Sequence, residues 1–519
     1  MLPSQVELKA GQKQQTQAYL IFFAAAVVLV VALHVPYLNL PYYWDELGQF
    51  IPAALDILQR NAWVPVTATP NIHPPGVMAY LALVWAVFGH TLIVTRLAML
   101  LIAAALVFFT FLLAIEVYRR SKVPLRGAPA FVAAALLLIS PLMFAQSMLA
   151  QLDMPAALFT VVVIWLYLRE KLFLAVMFSM ALVLTKETGI LLPALIALDR
   201  VRNRDWKGAS LFLLPLGALG LWLLYLRAKT GTMLGDRGFE HYNIWFQLHP
   251  VRLPVTLARR LFYLFVDNLH VVGVIALFWA WRTTRLFREG VWAGLAIFIA
   301  AHIFLVTAFG GAALERYLLP VLPIVYIAFA AALSAIPVRA SRPILVVLLA
   351  GLAGANFWNP PWPYPFENNL ALVDFVRLHE DAARFLETSY PKRTVATSWP
   401  FVDAIRRPEF GYISQPFNAI GIDDFHRKNV LALKEKDPDV LVVFSKTWDS
   451  GVNVLRLRLV SRLLSRYYYY EPQITADDIR QELGLQPVVR MERRGQWIEI
   501  FAKLGPSAPI QTVSLAPGI

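Results

Sequence analysis

The 519-residue sequence contains no cysteine. Disulfides, thiolate metal sites and cysteine nucleophiles are therefore excluded, while the redox compartment is left open. Charge is also scarce: Asp, Glu, Lys and Arg together make up 16% of the chain, against about 25% in soluble domains. Internal repeats and low-complexity segments are absent, apart from the run Tyr467–Tyr470, to which we assign no role. A cleavable leader is not expected either. Residues 1–17 are polar, the apolar run Tyr19–Val35 follows, and no small-residue cleavage site comes after it, so this is an uncleaved first span.

What the chain has in plenty is apolar surface. Hydrophobic residues account for 58% and aromatics for 13%, above the roughly 45–50% apolar content of soluble domains. They form blocks at 19–35, 93–118, 128–148, 154–168, 171–185, 188–199, 208–227, 268–282, 290–309, 317–336 and 343–358, the pattern of spanning helices. A net charge of +13 would point to nucleic acid in a soluble chain. Here the excess lies in short loops such as Arg119–Arg126, Asp199–Lys207, Arg282–Arg288 and Arg339–Arg342, so it reports orientation and no nucleic-acid partner is expected. These loops share the cytoplasmic side if Pro74–Gly89, only about 24 Å long as a helix, lies along the outer face, and if 171–199 is a hairpin broken at Thr185–Gly189. The expected architecture is an all-α polytopic membrane domain of about eleven transmembrane helices over 1–358. A proline-rich linker (359–365) then leads to a small α/β extracytoplasmic domain (366–519), with the N-terminus inside. Within 366–519 there is no G-x-G-x-x-G or P-loop, so a nucleotide cofactor has no support. The outer loop 228–267 breaks the charge rule with Lys229, Arg237, Arg252, Arg259 and Arg260. Either these cations bind lipid phosphates or the span count is off.

This topology gathers the unusual polar residues on one face. Asp45 and Glu46 follow the first span in Tyr42-Tyr43-Trp44-Asp45-Glu46, and His73-Pro74-Pro75 opens the surface helix. Gln151 and Asp153 sit at the next outer turn, Lys186 and Glu187 at the hairpin tip, and Glu315-Arg316-Tyr317 after Gly310-Gly311. Each has an ordinary reading. Asp153-Met154-Pro155 is a natural helix start, Glu315–Arg316 a helix-start ion pair, Lys186–Glu187 a solvated pair, and the aromatics an interfacial belt. Five such groups on one face is the observation that favours a site, because acids and cations are kept near a membrane mostly for chemistry or ion handling.

Tyr43-Trp44-Asp45-Glu46, then His73-Pro74-Pro75-Gly76, then Leu152-Asp153-Met154-Pro155 resemble the C-type glycosyltransferases, nearest to the protein O-mannosyltransferases and the lipid A aminoarabinose transferases. The resemblance covers about residues 15–230. It implies a membrane enzyme, in the manner of a bacterial inner-membrane protein, that moves a hexosyl or pentosyl group from a polyprenyl-phosphate carrier to an envelope acceptor (lipid, glycan or protein) on the outer face. Asp45 matches the family's catalytic aspartate, with Glu46 its neighbour and Asp153 the second outer acid. The family's carrier-phosphate cations do not align; Lys186, Arg259, Arg260 and Arg316 are the candidates.

The chemistry fits those residue types. A polyprenyl phosphate is already a good leaving group, so cations for the departing phosphate matter more than a strong acid. A carboxylate is needed to orient or deprotonate the acceptor hydroxyl, a role that suits Asp45. His73, Glu187, Glu315 and Tyr317 complete the expected substrate-binding set. No cofactor is certain; His73 with Asp45 or Glu46 leaves a divalent metal open, although the spacing matches no metal motif. The competing function is a lipid or sugar transporter or flippase. Such proteins place polar residues near mid-membrane in repeats or broken helices, and here only Lys186–Glu187 has that character.

Overall fold

The computed structural model describes residues 5–121, 127–360, 362, 364–446, 457–503 and 511–514. Lys122 and Arg126 of the expected basic loop, and Pro361 and Pro363 of the linker, lie outside the described residues. By contact the chain divides into two units, residues 1–38 with 53–356, and residues 39–52 with 357–519.

The first unit is helical. Its helices are α1 (Gln5–His34), α2 (Ile51–Arg60), α3 (Gly76–Phe88), α4 (Leu92–Arg120), α5 (Pro129–Ile139), α6 (Pro141–Ser147), α7 (Asp153–Leu168), α8 (Leu172–Thr185) and α9 (Leu191–Arg202). Then come α10 (Trp206–Leu211), α11 (Leu213–Thr230), α12 (Arg237–Glu240), α13 (Arg252–Phe265), α14 (His270–Thr283), α15 (Gly290–Ala308), α16 (Leu322–Ala335) and α17 (Val338–Ala355). Among the described residues five helices are long and apolar enough to cross a membrane, or seven if two bent pairs each count as one span. The chain is an integral membrane protein with a mostly helical membrane domain. Its interior is built on α4, whose Ala103, Ala104 and Ala114 are fully buried, and on α7, whose Ala156 and Ala157 are buried too. Small residues at such seams let helix backbones approach closely without a hydrophobic driving force.

Three expected elements differ. The span 128–148 is broken by 64° between α5 and α6, because Pro141 has no amide to donate and its ring clashes with the preceding turn. The expected loop 228–267 contains α13, which joins the segment Asp267–Thr283 across a 43° bend where Asn268 and Leu269 adopt φ of 52° and 61°, values that end a right-handed helix. α13 buries Arg252, Thr256 and Arg260 and exposes Val255, Leu261 and Phe262. That is a polar face turned inward and an apolar face outward, as lipid surroundings favour. Third, Arg339 and Arg342 lie inside the first turns of α17 instead of in a loop.

The second unit begins, in its C-terminal part, with α18 (Ala371–Ser389) and carries a six-stranded sheet. The strands are β1 (Thr394–Ser398), β2 (Asn418–Ile422), β3 (Val440–Phe444), β4 (Gln486–Arg493), β5 (Gln496–Ala502) and β6 (Gln511–Ser514), in the spatial order β2-β1-β3-β5-β4-β6. β1 runs parallel to β2 and β3, β5 antiparallel to β3 and β4, and β6 parallel to β4. Every residue of β3 (VLVVF) is buried, as a strand covered on both faces requires. Phe375, Phe401, Phe425 and Phe444 form the aromatic core around it.

Candidate active site

Two clusters of the expected site residues form, one in each unit. In the helical unit the chain doubles back twice. α7 starts at Asp153 with Pro155 in its first turn, an arrangement that needs no amide from the proline. α8 ends at Thr185 because Lys186 is extended (φ −150°, ψ 132°), and the 3₁₀ turn Glu187–Ile190 leads into α9. Lys186 thus returns to the start of α7, while Asp199 and Arg200 near the end of α9 meet Tyr167 and Glu170 at the other end of α7. The 171–199 segment is the hairpin expected.

Asp153 is held between two cations. Lys186 Nζ lies 2.5 Å from Asp153 Oδ1 and Arg316 Nε 3.3 Å from Oδ2, with all three side chains at most 8% exposed. Arg316 also donates to Gln151 Oε1 at 2.8 Å. The Tyr317 ring lies 4.2 Å from Lys186 Nζ, 5.5 Å from the Arg260 guanidinium and 5.7 Å from that of Arg316. Arg260 donates to the Val306 and Leu314 carbonyls at 2.8 and 3.1 Å. Its buried Nε–H has no partner among the described residues. Arg259 Nε reaches Glu315 Oε1 at 2.6 Å, and His73 Nδ1 lies 2.8 Å from Glu187 Oε2. Four cations (Lys186, Arg259, Arg260, Arg316) therefore meet three carboxylates (Asp153, Glu187, Glu315). Of these, Arg259 is 39% exposed and paired with Glu315, while the sealed Lys186 and Arg316 share the single carboxylate of Asp153, an arrangement that an anionic ligand would complete.

A cavity of about 200 Å³ adjoins this cluster, lined by His73, Lys186, Glu187 and Tyr317 together with the apolar Phe239, Ile244, Leu305 and Phe309. The Pro74-Pro75 step lets α3 begin at Gly76, where an added Cβ would sit 2.4 Å from the Leu184 carbonyl oxygen. Only glycine permits that approach of α3 to α8. A larger cleft of about 840 Å³ lies at the opposite end of α7, lined by Tyr167, Leu168 and Asp199 among others, and includes none of the expected site residues.

Asp45 and Glu46 belong to the second unit. Their loop is tied to the C-terminal part of that unit: Tyr42 N donates to the Phe410 carbonyl at 3.2 Å, and Tyr412 Oη to the Tyr42 carbonyl at 2.8 Å. The Trp44 ring meets Trp399 edge-on at 4.7 Å and Phe375 at 5.6 Å. Glu46 is fully buried and one of its carboxylate oxygens accepts from Tyr43 N at 2.7 Å, so it shapes the turn. Asp45 is half-buried. It follows Trp44 at φ 49°, a left-handed conformation that a bulky residue holds only where its surroundings impose it.

Among the described residues no group of three His, Asp or Glu side chains is placed to hold a metal ion, and His73 is engaged by Glu187. Sequence reasoning missed two supporting residues. Arg96, almost fully buried in α4, donates to the Met148 carbonyl at 2.7 Å and so steadies the turn before Asp153. His302 in α15 binds the Tyr317 carbonyl through Nε2 at 2.8 Å. A lone ionisable residue inside an apolar helix was the available signal for both.

The fold is similar to that of two solved structures of ArnT from Cupriavidus metallidurans. The one bound to undecaprenyl phosphate has a TM-score of 0.53 at 13% identity, covering 94% of this chain and 99% of that one. The apo form has a TM-score of 0.52 at 14% identity, covering 95% and 100%. An oligosaccharyltransferase from Archaeoglobus fulgidus, solved with Zn and sulfate, aligns over 82% of this chain and 68% of its own at 13% identity and a TM-score of 0.48. No family model matches the sequence, and no curated protein does.

Proposed function

We propose that this protein is an integral-membrane glycosyltransferase that moves a sugar from a polyprenyl-phosphate carrier to an envelope acceptor on the outer face. The observation that carries this reading is the buried Lys186–Asp153–Arg316 cluster beside Tyr317 and Arg260, in which two sealed cations share one carboxylate, with its adjoining largely apolar cavity. Such a site suits a ligand that is anionic at one end and hydrocarbon at the other, which is what a polyprenyl phosphate is. Lys186, Arg316 and the Arg260 Nε–H, which has no partner among the described residues, hold the phosphate; Asp153 fixes Lys186 and Arg316; Phe239, Ile244 and Phe309 take the first prenyl units. The undecaprenyl phosphate bound to ArnT is consistent with that choice of ligand.

In the reaction the acceptor hydroxyl attacks the anomeric carbon, the bond from that carbon to the phosphate oxygen breaks, and the phosphate leaves with the electron pair. Asp45 takes the hydroxyl proton. Glu46 holds the loop that presents Asp45, which makes it a positioning residue. The cations act on the charge that develops on the leaving phosphate. No step calls for a metal.

Eleven crossings, with the N-terminus inside and unit 357–519 outside, follow from the basic loops. In this cysteine-free chain, single cysteines at the exposed Asn203 and Gln415 report that orientation. An impermeant thiol reagent applied to intact cells labels position 415 and spares 203; the reverse pattern overturns it. The function itself is tested by incubating the purified protein with polyprenyl-phosphate sugars and extracted envelope acceptors. Mass spectrometry should find a hexosyl or pentosyl mass added to one acceptor class, and no glycosylated product with any donor would refute the proposal.

A further inference from the structure

The second unit carries a polar sheet edge to which the reaction above gives no task. β1 lies between its parallel neighbours β2 and β3. The chain runs from β1 to β2 in one direction and from β2 past β1 to β3 in the other. Right-handed crossovers therefore place the two connections on opposite faces, and the carboxyl ends of β1 and β3 part between them. In open α/β sheets this is where ligands bind.

The residues at that point are polar and convergent. Ser398 is the last residue of β1, and Lys446 lies two residues beyond β3. Lys446 Nζ donates to Ser398 Oγ at 2.7 Å and to the Asp423 carbonyl at 3.3 Å, and sits 5.2 Å from the Phe425 ring. An ammonium has three N–H donors, so one has no acceptor among the described residues. The Asp423 carboxylate is exposed and unpaired among the described residues, while its neighbour Asp424 is taken up by His426 and Asn429. Trp399 follows Ser398 directly and is half-buried against Trp44, the residue before Asp45. An added Cβ at Gly48 would lie 2.7 Å from Trp399 Nε1, so the Asp45 loop packs tightly on this edge.

We infer that the carboxyl edge of β1 and β3, through Trp399, Asp423 and Lys446, binds the hydroxyls of a saccharide acceptor and presents it beside Asp45. The inference rests on the glycosyltransferase reading and gives its acceptor a chemical class. One donor, one acceptor and indole surface, with charges that balance, suit a neutral polyol. A phosphate would need a surplus of cations, and a peptide an open strand edge.

The probe is a set of methyl glycosides of a hexose, a hexosamine and a uronic acid. Saturation-transfer NMR follows their binding to the full-length protein in lipid nanodiscs, which avoids sugar-headed detergents. At least one glycoside should bind saturably. Asp423→Asn and Trp399→Ala should weaken it tenfold or more, and Trp399→Phe, which keeps an aromatic surface, should restore most of the loss and show that the fold is intact. No glycoside bound by wild type, or binding indifferent to both Asp423→Asn and Trp399→Ala, overturns the inference. If transfer still depends on Asp45 in that case, the glycosyltransferase reading stands without it. If glycosides bind at this edge while Asp45→Asn transfers normally, the acceptor role fails, and Asp45 is the part that was wrong.

Discussion

The two units of this protein use charge in opposite ways. In the α/β unit most ion pairs are peripheral, as where Arg427 and Lys434 meet Glu482 with side chains from 32% to 52% exposed, and even the most enclosed among the described residues, Arg493–Asp381, keeps 12% and 20% exposure. In the helical unit the central ones are sealed, with Asp153 and Lys186 at 5% and 8%. Exposed pairs contribute little, since water and salt screen them. A sealed pair costs more desolvation than packing would demand, and a hydrophobic replacement of the same shape often does as well or better. The exposed pairs therefore need no explanation beyond solubility, whereas the sealed cluster calls for a ligand.

The largest effect that would break this contrast lies at Asp153. Asp153→Ala leaves Lys186 and Arg316 buried without their shared carboxylate, which should cost about 3–5 kcal/mol of stability and abolish transfer. Glu482→Ala, which also removes two ion pairs, should leave the melting temperature unchanged. Thermal unfolding of both variants in matched nanodiscs decides it; equal shifts would erase the distinction between the units.

Next comes the donor. Lys186→Met removes a charged contact to phosphate worth about 1.5–3 kcal/mol. The apparent KM for the lipid donor should rise roughly 10–100-fold, with a smaller, several-fold rise for Arg259→Ala, whose side chain is 39% exposed. Steady-state kinetics with a polyprenyl-phosphate sugar measures both. An unchanged KM in both variants would contradict the assignment of these cations to the donor phosphate.

The smallest effect is a pH dependence in the α/β unit. Burial pushes the Lys446 ammonium down to about 8 from the usual 10.5, against the opposing pull of Asp424 and Asp423. The unfolded chain then binds more protons than the folded one between those two values, so stability should rise with pH across that window. Lys446→Met should remove this part of the rise, as denaturant midpoints at pH 7.5 and 10 would show. Identical pH slopes in variant and wild type would contradict it.

Much of the fold was legible because its signals are local. Apolar runs mark the helices, the continuous apolar run Val440–Phe444 marks β3, and β4 and β5 carry an alternating pattern. β2 was not visible: Asn418-Ala419-Ile420-Gly421-Ile422 is short, interrupted by glycine, and made a strand by pairing with β1. The break at Ser140-Pro141 was signalled by the proline but outweighed by hydropathy. Within the site the individual residues stood out and their partnerships did not. Asp153 and Lys186 are 33 residues apart, and only the helical hairpin brings them together. Nor does composition tell that 39–52 groups with 357–519, because that grouping rests on Trp44–Trp399 and Tyr42–Phe410 contacts made across most of the chain.

The central claim is that Asp45, on a loop held by the α/β unit, is the group that activates the acceptor. Asp45→Asn keeps the size and the hydrogen-bonding capacity of the side chain and removes its basicity. At saturating donor and matched expression, kcat for transfer should fall by about 10²–10⁴ while the melting temperature and donor KM stay as in wild type. A kcat within twofold of wild type would contradict the account.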